Sequence, residues 1–442
     1  MSGFAPNDLE AFWLPFTPNR EFRRAPRLLV GAEGVWYRTA DGRRVLDAAA
    51  GLWCCNAGHG HPRIVEAIRR RAGVLDYAPP FQFAHPDAFT LAARLRDLFP
   101  GDLDHAFFCN SGSEAVDTAL KIALAYHRAR GEGQRVRLIG RARGYHGVGF
   151  GGLSVGGIGA NRRLFGPLLP GVDHLPHTLL EANRFARGRP PRGAELADAL
   201  EDLLERHGSE TVAAVIVEPV AGSIGVYPPP VGYLERLREI TARHGILLIF
   251  DEVITAFGRL GAGSAAEALG VRPDMITLAK GLTSGTVPMG GVMVRREIHR
   301  VLVEESPAPE WGIELPHGYT YSAHPLATAA ALATLDVYRD EDLFARAAAL
   351  APVFEERLHA LRDALHVRDI RNLGLMGAVE LEPRPGAPGA RGFDAMRRAF
   401  FGHDLLIRVT GDTIALSPPL VTGEAELELL FARLEAVLRE LD

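Results

Sequence analysis

With 47% hydrophobic and 23% charged residues over 442 positions, the chain has the make-up of a globular protein with a sizeable core and room for two domains, which excludes a disordered or fibrous polypeptide. A formal net charge of -5, with no basic tract interleaved with aromatics, argues against nucleic acid as a partner. Residues 1–6 carry no basic region followed by an apolar segment, and no apolar stretch is long enough to span a bilayer. Cys54, Cys55 and Cys109 show no metal-ligand spacing, so a cytoplasmic protein with reduced thiols, no metal and no membrane association is expected.

From the N-terminus, prolines at 15, 18 and 26 break residues 14–27 into a wrapping arm. Residues 34–39 and 44–47 flank Asp41-Gly42, a turn signal that joins two short antiparallel strands. A loop rich in glycine and histidine follows over 51–62 and leads into an amphipathic helix over 64–71; Trp53 in this loop reads, by itself, as core more readily than as pocket wall. Residues 106–109 form a predicted strand that feeds a helix through Asn110-Ser111-Gly112-Ser113-Glu114. Ser111 and Glu114 have capping-box spacing, and Val116, Leu120, Ala123 and Leu124 continue with helical period. The free N–H groups of such a helix start favour an anion, which makes Ser111, Gly112 and Ser113 a candidate phosphate cradle, although a capped helix needs no ligand. Lys121 falls inside this helix and reads as structural.

Residues 137–140 predict another strand, followed by Tyr145-His146-Gly147, an aromatic platform on a glycine-rich loop. Three apolar runs then end abruptly on ionisable groups: 212–217 on Glu218, 246–250 on Asp251-Glu252, and 275–279 on Lys280. Short apolar runs between polar flanks are strands buried on both faces of a parallel sheet. Separated by helix-length segments, they predict a doubly wound α/β domain whose ligands sit at the carboxyl ends of the strands, where Glu218, Asp251 and Lys280 all fall. Of the 49 lysines and arginines only two are lysine, Lys121 and Lys280. A chain that writes nearly every cation as arginine keeps lysine where arginine cannot serve, and only lysine can act as an amine nucleophile and form a Schiff base.

After residue 325 the character changes. An alanine-rich helix over 327–337 precedes alternating segments at 367–371 and 375–381, and a last helix carries the stripe Leu427, Leu430, Phe431, Leu434, Val437, Leu438 and Leu441, with Thr422 near its N-cap. This predicts a smaller α+β domain.

A Schiff-base lysine, an acid on a neighbouring strand, a phosphate-binding helix start and a stacking aromatic are together what pyridoxal 5'-phosphate requires. The motifs Ser111-Gly112-Ser113-Glu114, Gly144-Tyr145-His146-Gly147, Val217-Glu218-Pro219, Phe250-Asp251-Glu252-Val253, Ala279-Lys280 and His317-Gly318-Tyr319-Thr320-Tyr321-Ser322 resemble those of the class III, fold-type I aminotransferases, specifically the omega-amino acid:pyruvate group, over essentially the whole length. The resemblance implies an N-terminal arm and part of a small domain over 1–58, a large cofactor domain over 59–325 and a C-terminal small domain over 326–442. It also implies that Lys280 bears the cofactor, Asp251 pairs with its ring nitrogen, and Tyr145 and Val253 lie on its two faces. Ser111, Gly112 and Ser113 would hold the phosphate, joined by Thr320 of a second subunit, with His146 and Glu218 also at the cofactor. Arg408 would bind the substrate carboxylate, and Trp53 and Phe16, with Tyr145, would wall the pocket. A homodimer follows, with a tetramer left open. The expected reaction is a two-stage transfer of an amino group from beta-alanine or another terminal amine to pyruvate. Alternatives within the same chemistry are taurine or 4-aminobutyrate transamination, amine transamination and an aminomutase. A nucleotide-binding oxidoreductase, suggested by glycines between 147 and 159, lacks the G-x-G-x-x-G that would join a strand to a helix there.

Overall fold

Strands that are apolar on both faces must be covered on both faces, and this places them at the middle of the molecule. In the computed structural model, which describes residues 9–442, they form a seven-stranded sheet. Its order is His105–Cys109, Gly290–Val294, Met275–Leu278, Leu247–Asp251, Val212–Val217, Arg137–Arg141, Val172–Leu175. Gly290–Val294 runs against both neighbours, and all other adjacent pairs are parallel. No residue of Val212–Val217 is more than 1% exposed. Side chains alternate between two covering layers: Ile249 joins the cluster built on the helix Gly112–Ala129, whereas Leu248 and Phe250 join Leu234, Leu237 and Ile240 of the helix Tyr233–Arg243.

Five of these strands are those expected from the sequence: Val212–Val217 has its expected bounds, and the other four are shifted by one residue at one or both ends. Leu247–Asp251 includes the aspartate itself, and Met275–Leu278 stops two residues before Lys280. Val172–Leu175 and Gly290–Val294 escape a reading by apolar runs, because the first carries Asp173 and His174 and the second opens on two glycines. The glycine-rich segment after Tyr145 folds into a short helix, Phe150–Val155, whose Gly152 N–H donates to Asp117 Oδ1 at 2.7 Å. It packs on the helix Gly112–Ala129 and forms no strand-to-helix nucleotide turn.

Two four-stranded sheets lie beyond the central one. In the first, Leu405–Leu406 pairs in parallel with Arg44–Asp47, so that the predicted N-terminal hairpin, Trp36–Thr39 with Arg44–Asp47, and the C-terminal segment share one sheet with Leu29–Glu33. The second has the order Val367–Leu373, Met376–Leu381, Thr413–Leu416, Arg408–Thr410. The last helix, Glu424–Arg439, is capped by Gly423 and not by Thr422: the Gly423 N–H donates to the Glu426 carboxylate, while Thr422 Oγ1 turns back to the Pro419 carbonyl. Among the described residues no helix is long and apolar enough to cross a membrane. The sequence reading of residues 1–6 lies outside the described residues.

Arg259 joins these layers. It is fully buried, and its guanidinium donates to the Ser417 and Pro418 carbonyls at 3.1 and 2.5 Å and to Asn56 Oδ1 at 2.6 Å. Burial pushes its pKa down to about 10. Replacement by leucine would leave three buried acceptors without donors, at roughly 1–3 kcal/mol each. Arg259→Leu is therefore expected to lower the thermal midpoint by many degrees, and a melting curve superimposable on that of the parent protein would refute this role.

Candidate active site

The carboxyl ends of the central strands open into a cavity of about 610 Å³. Asp251 ends the middle strand, directly opposite Thr277 in the register of the lysine-bearing neighbour. Three donors converge on its carboxylate. His146 Nδ1 lies 2.7 Å from Oδ2, while the Val253 N–H and the Thr277 hydroxyl donate to Oδ1 at 3.2 and 3.1 Å. Bonds from both sides leave this side chain one orientation, with an edge toward the cavity. The adjacent Glu252 points the other way: it is fully buried and accepts from the Ala265 and Ala266 N–H groups and from Thr255, which makes it the anchor of the helix Ala265–Leu269. Desolvation raises its pKa to about 7.

Lys280 begins a tight turn, Lys280–Thr283, with a positive φ of 46° that is costly for a residue with a side chain. This conformation projects the amine into the cavity from the floor, where it is half-buried. Desolvation pushes its pKa down to about 8, against the opposing pull of Asp251. Lys121, the other lysine, is exposed in mid-helix.

The helix Gly112–Ala129 starts at the cavity wall. Ser111 caps it by accepting from the Glu114 N–H at 3.2 Å, and Glu114 returns a bond to the Asn110 N–H at 2.7 Å, one residue earlier than a capping box would place it. Ser111 keeps its own O–H free while it accepts this cap bond, and Gly112 and Ser113 are the residues of this turn that line the cavity. A Cβ at Gly112 would lie 2.9 Å from Val253 Cγ1, so only glycine admits the close approach of the helix start to the Asp251 turn. Tyr145 also lines the cavity, its backbone N–H bonded to Glu218 Oε1 at 2.9 Å. Glu218 itself is buried, which raises its pKa, and its second oxygen accepts from the Gly222 N–H at 3.1 Å.

Arg408 enters from the edge of the second four-stranded sheet, on the strand Arg408–Thr410. It is half-buried, desolvation lowers its pKa, and among the described residues no carboxylate pairs with it. Trp53 lines the cavity and is also core: at 2% exposure it packs with Val220, Val226 and Met376, held by a positive φ of 65°. Phe16 is exposed at the mouth. Thr320 is not at its own chain's cavity; it is exposed on the surface, its carbonyl accepting from the Tyr77 hydroxyl at 3.1 Å. The residues that sequence reasoning missed are polar ones without a motif: Thr277 beneath Asp251, and Asn161, Ser223 and Thr410 around the rim. A lone hydroxyl in an otherwise apolar strand was the available signal for Thr277.

These groups fit pyridoxal 5'-phosphate. The cavity offers a desolvated amine, a carboxylate locked by three donors and, at Gly112, a helix start that a side chain would obstruct.

Comparison with known proteins agrees with this geometry. The aminotransferase class-III family profile matches residues 19–438. The omega-aminotransferase of Caulobacter vibrioides is 59% identical over 443 residues, covering 100% of each chain. The beta-alanine–pyruvate aminotransferase of Pseudomonas aeruginosa is 51% identical, over 96% of this chain and 94% of that one. Among solved structures, an amine transaminase from an uncultivated Pseudomonas species in the PLP-bound form superimposes with a TM-score of 0.88 at 36% identity, covering 98% of this chain and 99% of the other. A central sheet that ends on Asp251 and Lys280, together with similarity along the full length, makes this chain a class III aminotransferase of fold type I.

Proposed function

We propose that the enzyme transfers the amino group of an omega-amino acid of the beta-alanine type to pyruvate, giving L-alanine and an oxo acid. The observation that carries this reading is Arg408, a half-buried guanidinium without a carboxylate partner among the described residues, lining the same cavity as Lys280. Such a cation is a ready partner for a substrate carboxylate, which beta-alanine and pyruvate both possess. The names of the relatives from Caulobacter vibrioides and Pseudomonas aeruginosa support the same substrate class.

Bound at this site, pyridoxal 5'-phosphate supplies an aldehyde that takes up amino groups and a ring that accepts the electron pair released at the substrate carbon. In this reading Lys280 holds the cofactor between turnovers and, once displaced, moves the proton to and from the reacting carbon. A pKa near 8 leaves a useful fraction of the amine neutral at physiological pH. Asp251 would stabilise a proton on the ring nitrogen, with its carboxylate fixed by His146 and Thr277. Tyr145 and Val253 would lie on the two faces of the ring, Gly112 and Ser113 would hold the phosphate from the helix start, and Trp53 and Phe16 would limit the substrate's bulk.

Thr320, exposed on its own chain, is assigned to the phosphate site of a second copy, so that the working unit is a homodimer. Large apolar side chains left in water, among them Trp311 at 87% exposure with Ile313, Phe81 and Phe83, support such a covering. We place this enzyme in the cytoplasm.

If Lys280 bears the cofactor, borohydride reduction should attach it irreversibly to the parent protein and to Lys121→Arg, but not to Lys280→Ala. The rate of covalent uptake by the cofactor-free protein should rise with pH and level off above about 8, as the amine loses its proton. A rise that continues to the ordinary lysine range would deny the desolvated amine. Arg408→Ala should lower kcat/KM for beta-alanine and pyruvate by roughly 10- to 10³-fold while an uncharged donor such as 1-phenylethylamine loses little in single turnover; equal losses would remove Arg408 from the carboxylate site. Sedimentation of the active enzyme should give at least the mass of two chains, and a fully active monomer would contradict the assignment of Thr320.

A further inference from the structure

Arg408 sits on a three-residue edge strand that pairs on one side only, with Thr413–Leu416. A short edge strand leaves its outer backbone groups unpaired, and its position then depends on whatever its side chains reach. Thr410, two residues beyond Arg408, reaches across to the large domain: its hydroxyl donates to the Ser223 carbonyl at 2.8 Å.

Ser223 lies in a small loop closed by reciprocal bonds between Ala221 and Tyr227 at 3.1 and 2.9 Å. The small domain grips this loop a second time. Arg371, only 4% exposed and balanced by Asp369 and Glu380 at 2.6 Å each, donates to the Gly225 carbonyl at 3.0 and 3.2 Å and to the Val226 carbonyl at 3.3 Å. Gly225 has a φ of +122°, and a Cβ there would lie 2.8 Å from Thr413 Cγ2, so the joint closes fully only around glycine. At its near end the loop is tied to the cofactor side, since Glu218 bonds both the Gly222 N–H and the Tyr145 N–H. One continuous path therefore runs from the backbone of Tyr145 through Glu218, the loop and Thr410 to the strand that carries Arg408.

We propose that Thr410 is a positioning residue: through the Ser223 carbonyl it holds Arg408 at a set distance from the cofactor-stacking Tyr145, and this sets the affinity for carboxylate-bearing substrates. The inference rests on the assignment of Arg408 to the substrate carboxylate. Its test titrates the cofactor-loaded enzyme by calorimetry with propionate, a carboxylate that has neither an amino nor an oxo group and cannot react.

Loss of one hydrogen bond in Thr410→Val should weaken propionate about 3- to 10-fold, and Thr410→Ser, which restores the hydroxyl, should return it to within about twofold of the parent. In steady state the KM for pyruvate should rise more than kcat falls. Should Thr410→Val not fold, Gly225→Ala opens the same joint from the loop side, and the same weakening is expected. Parent-like affinity in Thr410→Val, or no recovery in Thr410→Ser, overturns the positioning role, provided that Arg408→Ala binds propionate poorly. If Arg408→Ala binds propionate as the parent does, the carboxylate assignment itself falls.

Discussion

The hydrogen bonds that converge on Asp251 come from three separated parts of the chain: the loop of His146, the turn at Val253 and the strand of Thr277. Delivering all three to one carboxylate requires the middle strands to lie in one register, because sliding either strand by one residue would send its side chains to the other face of the sheet. The parallel pairing of Asp251 opposite Thr277 meets that requirement, and Lys280 follows three residues further along the same strand path. The acid is thus placed by sheet register, and the amine by the tight turn that directly follows the neighbouring strand. Catalytic groups mounted this way lose little precision to thermal motion of the surface.

The cavity wall beyond the central sheet is built on the opposite principle. Arg408, Trp53 and Phe16 come from segments that meet the central sheet only through side chains and loops. Here buried arginines replace backbone ladders as the connecting elements. Arg259 ties Asn56 to Ser417 and Pro418, and Arg371 ties the loop at Gly225 to the second small sheet. A guanidinium with five donors in a plane can satisfy several carbonyls at once, which suits a junction where irregular chain segments would otherwise bury unpaired acceptors. The abundance of arginine in this chain has, at these two positions, a structural explanation.

Glu252 and Glu218 illustrate how neighbouring acids part ways. Both are buried beside the cavity floor, and burial raises both pKa values. Glu252 is consumed by backbone donors of a short helix, whereas Glu218 connects the amide of Tyr145 to the loop that meets the second small sheet. Both carboxylates are thus occupied by backbone donors.

Much was legible in the sequence because its signals are local. Apolar runs that stop on Asp251 and Lys280 marked two central strands and their carboxyl ends, the scarcity of lysine singled out Lys280, and Ser111 with Glu114 marked the start of a long helix. Together with quoted motifs, these sufficed for the family. What local signals do not contain is which distant groups share a surface. Only the tertiary structure turned Glu252 away from the cavity, gave Trp53 a double role in core and wall, and set Thr277 beneath Asp251. The joint of Thr410 with Ser223 spans 187 positions of sequence and carries no periodicity or composition of its own. Its partner is a backbone carbonyl, which every residue possesses, so no choice of amino acid at Ser223 could have announced it.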